Sequence, residues 1–255
     1  MIDIFNIQTY GWEAAIRGMR NSRQSWEKSD SYWEDVSLIT LDGTGVMKTG
    51  ERIFRLGTED LTLASQLAAN GTSHAKFRRM IGVSMDICAP LYWWKEFDTY
   101  KIGTVANSTS TMYSIMNKKF TPDDFSTEHL FGLKDWLSPV AIDIEGNECL
   151  YSPKYFIEMI CQMCNFYRAH YLEENDPEKK KEYWWQIIQL LPSSYNQLRT
   201  VSMNYEVLSH IVHERWHHKL DEWRRFCKVM LDKLPYAKEL IFCENLLLTM
   251  FTDFG

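Results

Sequence analysis

Residues 152–177, SPKYFIEMICQMCNFYRAHYLEENDP, decide the fold class. From Ser152 onward apolar residues recur at helical spacing over long segments, whereas the chain before it breaks into short, mixed pieces. Helices are read over 153–173, 177–190, 202–218, 219–234 and 236–251. They are separated at Asn175-Asp-Pro177, Leu191-Pro192-Ser-Ser and Leu234-Pro235, because proline cannot continue a helix. Working back toward the start, alternation over MIDIFNIQT gives a first strand at 1–9, followed by a short helix at 11–19 that ends near Asn21-Ser22. Residues 20–57 are turn-rich, with a strand at 36–41 before the turn dipeptide Asp42-Gly43. Residues 59–70 repeat apolar positions at helical spacing and stop at Gly71, a left-handed cap. Residues 79–94 read as strand, interrupted at Ala89-Pro90, and 119–152 as an irregular insertion. The result is an α+β class: a mixed or antiparallel sheet in the N-terminal half packed with a helix-rich C-terminal half. No composition shift marks a linker, so 1–255 is expected to be one domain.

Composition narrows the class of function without choosing one. The 255 residues are 45% hydrophobic and 24% charged, which excludes disordered and fibrous chains. A chain of this length buries roughly 70–75% of its unfolded surface and needs no staples. Acidic residues outnumber basic ones 34 to 28, for a net charge of −6, which argues against a generic nucleic-acid binder. Asp3 and the alternating start fit a strand and not a secretory leader. No apolar run reaches the roughly 18–20 residues of a membrane span. A cytoplasmic location without membrane partners is expected. Aromatic residues reach 14%, enough for a large core, ring-lined pockets or an oligomer interface.

Three polar clusters are candidates for chemistry. Cys161-Gln-Met-Cys164 has redox spacing but sits in mid-helix among Met159, Ile160 and Phe166. A reactive thiolate wants a helix N-terminus, so the pair reads as core. His210, His213 and His217 recur at i, i+3 and i+7 beside Glu214, a spacing that admits a transition metal or ordinary hydrogen-bonded imidazoles. No further carboxylate motif completes a metal site, and none is expected. Arg215, flanked by imidazoles and aromatics, suits either a planar, oxygen-bearing ligand held by paired hydrogen bonds or an ion pair with Glu214 or Asp221. The third cluster runs from Ala89-Pro-Leu-Tyr-Trp-Trp-Lys95-Glu96-Phe97 through Thr99-Tyr100-Lys101 to Asn107-Ser108-Thr-Ser110-Thr-Met112-Tyr113. It is either a pocket for a flat ring bearing phosphate or a buried strand followed by a solvated loop.

The second and third clusters, in this order, resemble motifs of the flavin-dependent thymidylate synthases. That family has Ala-Pro-x-x-x-x-Arg-Gln-Trp, then Arg-His-Arg, then Asn-Glu-x-Ser-x-Arg-Tyr. Here Ala89-Pro90 through Phe97 follows the first part without a gap, and Asn107 to Tyr113 follows the last after one inserted residue. Downstream, Leu191-Pro192, Asn204-Tyr-Glu206-Val-Leu208-Ser-His210, Glu214-Arg215 and Asp221-Glu-Trp223 follow the family's Leu-Pro, Asn-x-Arg-x-Leu-x-His/Asn, Leu-Arg and Gln-Trp-Glu segments. The resemblance covers 59–113 and 186–240, and 1–20 loosely; 119–152 has no counterpart.

The resemblance implies a homotetramer that binds FAD and transfers a one-carbon unit from methylene-tetrahydrofolate to a pyrimidine nucleotide such as dUMP. NADPH is the further cosubstrate it implies. Arg215 and Ser110 would be catalytic, with Ser108, Ser110 and Arg215 on the substrate. Glu96, Tyr100, Lys101, Asn204 and His210 would lie on the cofactor. Several matches fail: Arg-His-Arg is Thr99-Tyr100-Lys101, and family arginines are Met112, Glu206 and Ile188, while Ser108 replaces a glutamate. Arg78, Arg79, Arg199 or the 119–152 insertion could supply the missing charges. The alternative is a catalytically degenerate nucleotide- or flavin-binding protein on the same scaffold.

Overall fold

The chain is described by a computed structural model that places residues 1–39, 46–132, 140–142, 145–150 and 152–243. Its elements run β1 Asp3–Tyr10, α1 Trp12–Arg20, β2 Tyr32–Ile39, β3 Val46–Arg55, α2 Thr58–Ala69, β4 Gly82–Pro90, α3 Leu91–Phe97, β5 Val105–Ser108 and α4 Thr111–Ser114. They continue with β6 Val140–Ile142, β7 Glu148–Leu150, α5 Pro153–Glu173, α6 Pro177–Leu190, β8 Asn196–Asn204, α7 Tyr205–Arg215 and α8 Asp221–Lys233. The class is α+β, with four long helices after Ser152 among the described residues. A four-stranded sheet has the order β1-β4-β8-β5. β2 and β3 form a separate antiparallel pair, as do β6 and β7. Among the described residues, no helix is long and apolar enough to cross a membrane.

Local chemistry explains the long helices. Ser152 caps α5 by accepting from the Tyr155 amide at 3.1 Å, and Asp176 caps α6 by accepting from Glu178 at 3.0 Å. Proline follows each cap at the first helical position, where its missing N–H costs nothing. Gly71, φ +88°, follows α2 in the left-handed region.

Three expectations are corrected. Asn196–Asn204 is a strand, β8, and the helix expected over 202–218 spans only Tyr205–Arg215. Val201 and Met203 are buried at alternate positions, the period of a pleated strand. Residues 91–94 are helical: Pro90 has extended dihedrals before α3, and Trp93, Trp94 and Phe97 bury one helical face. Of the helix expected over 236–251, Lys238–Phe242 forms a π-helical turn, and residues from 244 lie outside the described set. The strand expected at 36–41 falls within β2 as far as Ile39, paired antiparallel with β3, and the Asp42-Gly43 turn expected there lies outside the described residues. Within 119–152 the described residues hold a 3-10 turn, Pro122–Asp124, and the β6–β7 pair.

The chain divides into two compact units. The first comprises residues 1–3, 86–99 and 106–200. There α5 and α6 pack together around Ile157, Cys161, Cys164 and Ile187, with Ile115, Phe120 and Phe125 in the same core. The second comprises residues 4–85, 100–105 and 201–255. Its core gathers α1, α2, α7, α8 and the 3-10 turn Lys76–Met80, with Tyr205, Trp223, Phe226 and Met230 fully buried. Side chains of that size stabilise by roughly 1.5–3 kcal/mol each on burial.

Candidate functional site

In the second unit a cluster that joins rings and charges is built on α7 and on residues 100–105. α7 starts at Asn204, whose Oδ1 accepts from the Val207 amide at 3.0 Å. Leu208, Ser209, Ile211 and Val212 bury its inner face. The opposite face carries His210, whose Nε2 lies 3.2 Å from Glu214 Oε1 one turn on. Arg215 ends the helix, where a cation complements the carbonyl end of the dipole.

Tyr100 ties this end together. Its hydroxyl donates to Glu214 Oε2 at 2.8 Å and accepts from Arg215 Nε at 2.7 Å. Burial, and then the bond donated to Glu214, push the phenol up to about 12, although the Arg215 guanidinium pulls the other way. The hydroxyl therefore keeps its proton at neutral pH and acts as a fixed bridge between carboxylate and guanidinium. The Arg215 guanidinium carbon also lies 5.5 Å from the Tyr100 ring centre and 5.0 Å from that of Trp223. Two ring faces thus fix the plane of the guanidinium. The His210 ring meets Tyr100 edge-on at 6.2 Å.

Lys101 follows on the exposed side, and the chain turns at Gly103. Gly103 has φ +76°, and a Cβ there would sit 3.0 Å from Val207 Cγ2 and 3.5 Å from Asn204 Nδ2. Only glycine fits that cradle against the first turn of α7.

The structure thus brings Tyr100, His210 and Arg215 together. Lys101 follows Tyr100 in the chain, and Asn204 lies at the other end of α7. The remaining expected residues belong to the first unit. Glu96 lies in the last turn of α3, and its carbonyl accepts from the Thr99 hydroxyl at 2.7 Å. Ser108 ends β5, and Ser110 precedes α4, its carbonyl accepting from Ser114 Oγ at 2.7 Å; both serines are exposed. Met112 is 53% exposed. Sequence reasoning gave no role to Trp223, although its place eight residues after Arg215 marked a ring within reach of the guanidinium.

Two of the arginines considered as replacements are held inside the fold. Arg78 gives Nη2 to Glu206 at 2.6 Å and Nη1 to Ser209 Oγ and the Leu240 carbonyl at 3.1 Å each. Arg199 bonds Asp98 at 2.7 Å and Gln197 at 3.0 Å, and lies 4.3 Å above the Trp94 ring. Arg79 is exposed.

α7 stops at Arg215, so His217 leaves the helical face, and His213 Nδ1 bonds the Ser209 carbonyl at 2.6 Å. Among the described residues no group of three or more His, Cys, Asp or Glu is arranged to hold a metal ion. Cys161 and Cys164 are core, as expected; burial pushes both thiols up to about 11.

No protein-family model matches the chain, and no curated protein is similar to it. Solved structures are. Two are crystal structures of the flavin-dependent thymidylate synthase ThyX from Helicobacter pylori, each with FAD and dUMP. One superposes with a TM-score of 0.57 at 18% identity, over 94% of this chain and 97% of that chain. The other gives 0.59 at 17% identity, over 96% and 99%. At that identity the likeness is one of fold.

Proposed function

We propose that the protein is a divergent flavin-dependent thymidylate synthase-like enzyme, which binds FAD and transfers a one-carbon unit from methylene-tetrahydrofolate to dUMP or a related pyrimidine nucleotide. One observation carries this. α7 holds Asn204, His210 and Arg215, with Tyr100 against the last two, in a fold whose solved examples hold FAD and dUMP. The close fit of Gly103 against Val207 and Asn204 holds the segment that carries Tyr100 and Lys101 against the first turn of α7, which supports a cofactor held by residues of both. Lys101 then pairs with a cofactor phosphate, and His210 and Asn204 contact the flavin.

When bound and reduced, the flavin would supply the hydride, and the folate the carbon. The chain itself supplies orientation and charge. Arg215 donates toward a pyrimidine carbonyl and withdraws electron density from the ring, its plane fixed by Tyr100 and Trp223. Tyr100 stays protonated and keeps Arg215 in register with Glu214. Ser108 and Ser110 supply hydroxyls to the nucleotide, Glu96 belongs to the cofactor side, and NADPH is the reductant of the cycle. A homotetramer and a cytoplasmic location complete the reading.

The test begins with an absorbance spectrum of purified protein from 300 to 550 nm, before and after excess FAD and desalting. Retained flavin bands, followed by thymidylate formation from dUMP, methylene-tetrahydrofolate and NADPH, are expected. A folded, colourless protein that cannot be reconstituted would overturn it. The Arg78–Glu206 pair and exposed Met112 favour a second reading, a degenerate binder on this scaffold. That reading expects flavin or nucleotide retention without turnover.

A further inference from the structure

The largest cavity described in the second unit, about 950 Å³, lies away from Arg215. Its walls are β1, the start of α1, the β2–β3 hairpin and Tyr236, and they carry five aromatic rings: Tyr10, Trp12, Trp33, Phe54 and Tyr236. Its charged lining consists of Arg52 and Arg55; among the described residues, no carboxylate lines it. We propose that this cavity is a second nucleotide site, which takes a nucleoside polyphosphate with its base among the rings and its phosphates on the two arginines.

The hairpin register explains the arrangement. Trp33 pairs with Phe54 across the ladder, and Asp35 with Arg52. Since side chains alternate, Trp33, Phe54 and Arg52 share one face and Arg55 lies on the other; the cavity, lined by Arg52, Ile53, Phe54 and Arg55 in turn, meets both faces of the strand. Trp33 and Phe54 meet edge-on at 5.2 Å, and the Arg52 guanidinium lies 5.6 Å from the Trp33 ring centre. Across the cavity Trp12 meets Tyr236 edge-on at 5.6 Å. Tyr10 and Trp33 remain 52% and 42% exposed. Open rings beside cations are what a flat, anionic ligand requires.

Charge fits the same class. Arg52 is paired with Asp35 at 3.2 Å and Arg55 with Glu34 at 2.7 Å, each through Nε. All four side chains are about half exposed, and ion pairs that exposed are weak. A polyphosphate brings several charges and the geometry that guanidinium forks match two bonds at a time, so it can displace or share those carboxylates. The volume exceeds what an inorganic anion or a lone base would fill and lies within the range of sites for whole ligands.

The full-length protein is titrated calorimetrically with ATP, adenosine and inorganic tripolyphosphate as probes. ATP is expected to bind, with adenosine and tripolyphosphate each at least about tenfold weaker, because each keeps half of the contacts. R52Q/R55Q should weaken ATP by about 30-fold or more, through loss of charged hydrogen bonds, while Arg215→Gln leaves it unchanged. No ATP binding at about 1 mM, equal binding by R52Q/R55Q, or loss in Arg215→Gln would each overturn the proposal. Should R52Q/R55Q fail to fold, amide exchange of wild type decides: slowing by ATP over residues 7–12 and 52–55 supports it, and unchanged exchange there sinks it. The outcome is independent of whether the protein retains flavin.

Discussion

Replacing Glu206 by Gln keeps the shape of the side chain and removes its charge beneath a buried guanidinium. Arg78 is 5% and Glu206 14% exposed, and they meet through Nε at 2.8 Å and Nη2 at 2.6 Å. Breaking such a pair by neutralising one partner costs about 3–5 kcal/mol, because the other charge stays buried. Arg78 keeps Ser209 Oγ and the Leu240 carbonyl, both at 3.1 Å, as acceptors. These retain part of its solvation and bring the expected loss to about 2–3 kcal/mol. For a chain of this size each kcal/mol shifts Tm by about 2–4 °C, so Glu206→Gln should lower Tm by about 4–12 °C. Thermal unfolding followed by circular dichroism at neutral pH measures it. Glu206→Arg, which restores the residue of the resembling family, should do worse by setting two guanidinium groups together. R78M/E206M should lie closer to wild type than either single change, since no buried charge is left alone. A Tm within about 1 °C of wild type for Glu206→Gln would refute the reasoning.

Tyr100→Phe removes the hydroxyl bridging Glu214 and Arg215. At this half-exposed position it should cost about 1–2 kcal/mol, read as a Tm drop of about 2–8 °C. On the proposed function, calorimetry should also show dUMP binding about tenfold weaker, the loss of one charged hydrogen bond's worth of positioning. Asp60 has a fully buried side chain that accepts from Arg20, Ser29 and Ser31 at 2.6 Å each. Burial pushes its carboxyl up, but the bonds from Ser29, Ser31 and Arg20 together hold it below the ordinary 3.8. Its contribution is therefore complete above that value and is lost as pH falls below it toward the folded-state pKa. Asp60→Asn should be less stable at pH 7, and its stability should fall less between pH 5 and 2; an unchanged acid slope would contradict this. Cys161 and Cys164, pushed up to about 11 by burial, and Cys227, to about 12, should resist a disulfide reagent at pH 8 until denaturant is added.

Much of the fold was legible because local signals and burial agree. α5 and α6 occupy the expected residues: Ser152 and Asp176 cap them, proline starts them, and apolar spacing continues through them. β8 was hidden because its alternation is short and runs directly into α7, so that Val201 and Met203 read as the first apolar positions of a helix. α3 was hidden because its aromatic residues favour strands in isolation; the burial of Trp93, Trp94 and Phe97 overrides that preference. At the site, Arg215 and His210 stood out as charge among rings. The role of Tyr100 as donor to one neighbour and acceptor from another depends on residues more than a hundred positions away. Trp223 acquires its role only when α8 folds back beside the end of α7.

The departures from the flavin-dependent pattern are of two physical kinds, and the structure separates them. At position 206 the exchange of arginine for glutamate is answered from within: Arg78 is buried against the new carboxylate, and Ser209 and Leu240 satisfy what remains of its guanidinium. Such an exchange preserves the fold and alters only what α7 presents near its start. At position 112 nothing comparable is needed, because Met112 is half exposed and its thioether demands no partner. An exposed arginine there would stabilise the fold little, so its replacement bears on what the surface can bind. Arg215 belongs to neither kind. It keeps its charge between Tyr100 and Trp223 beside Glu214, an arrangement that spends two rings and a hydroxyl on holding one guanidinium still. Held in one plane, that guanidinium suits a planar ring met in one orientation, which is what the proposed function asks of it.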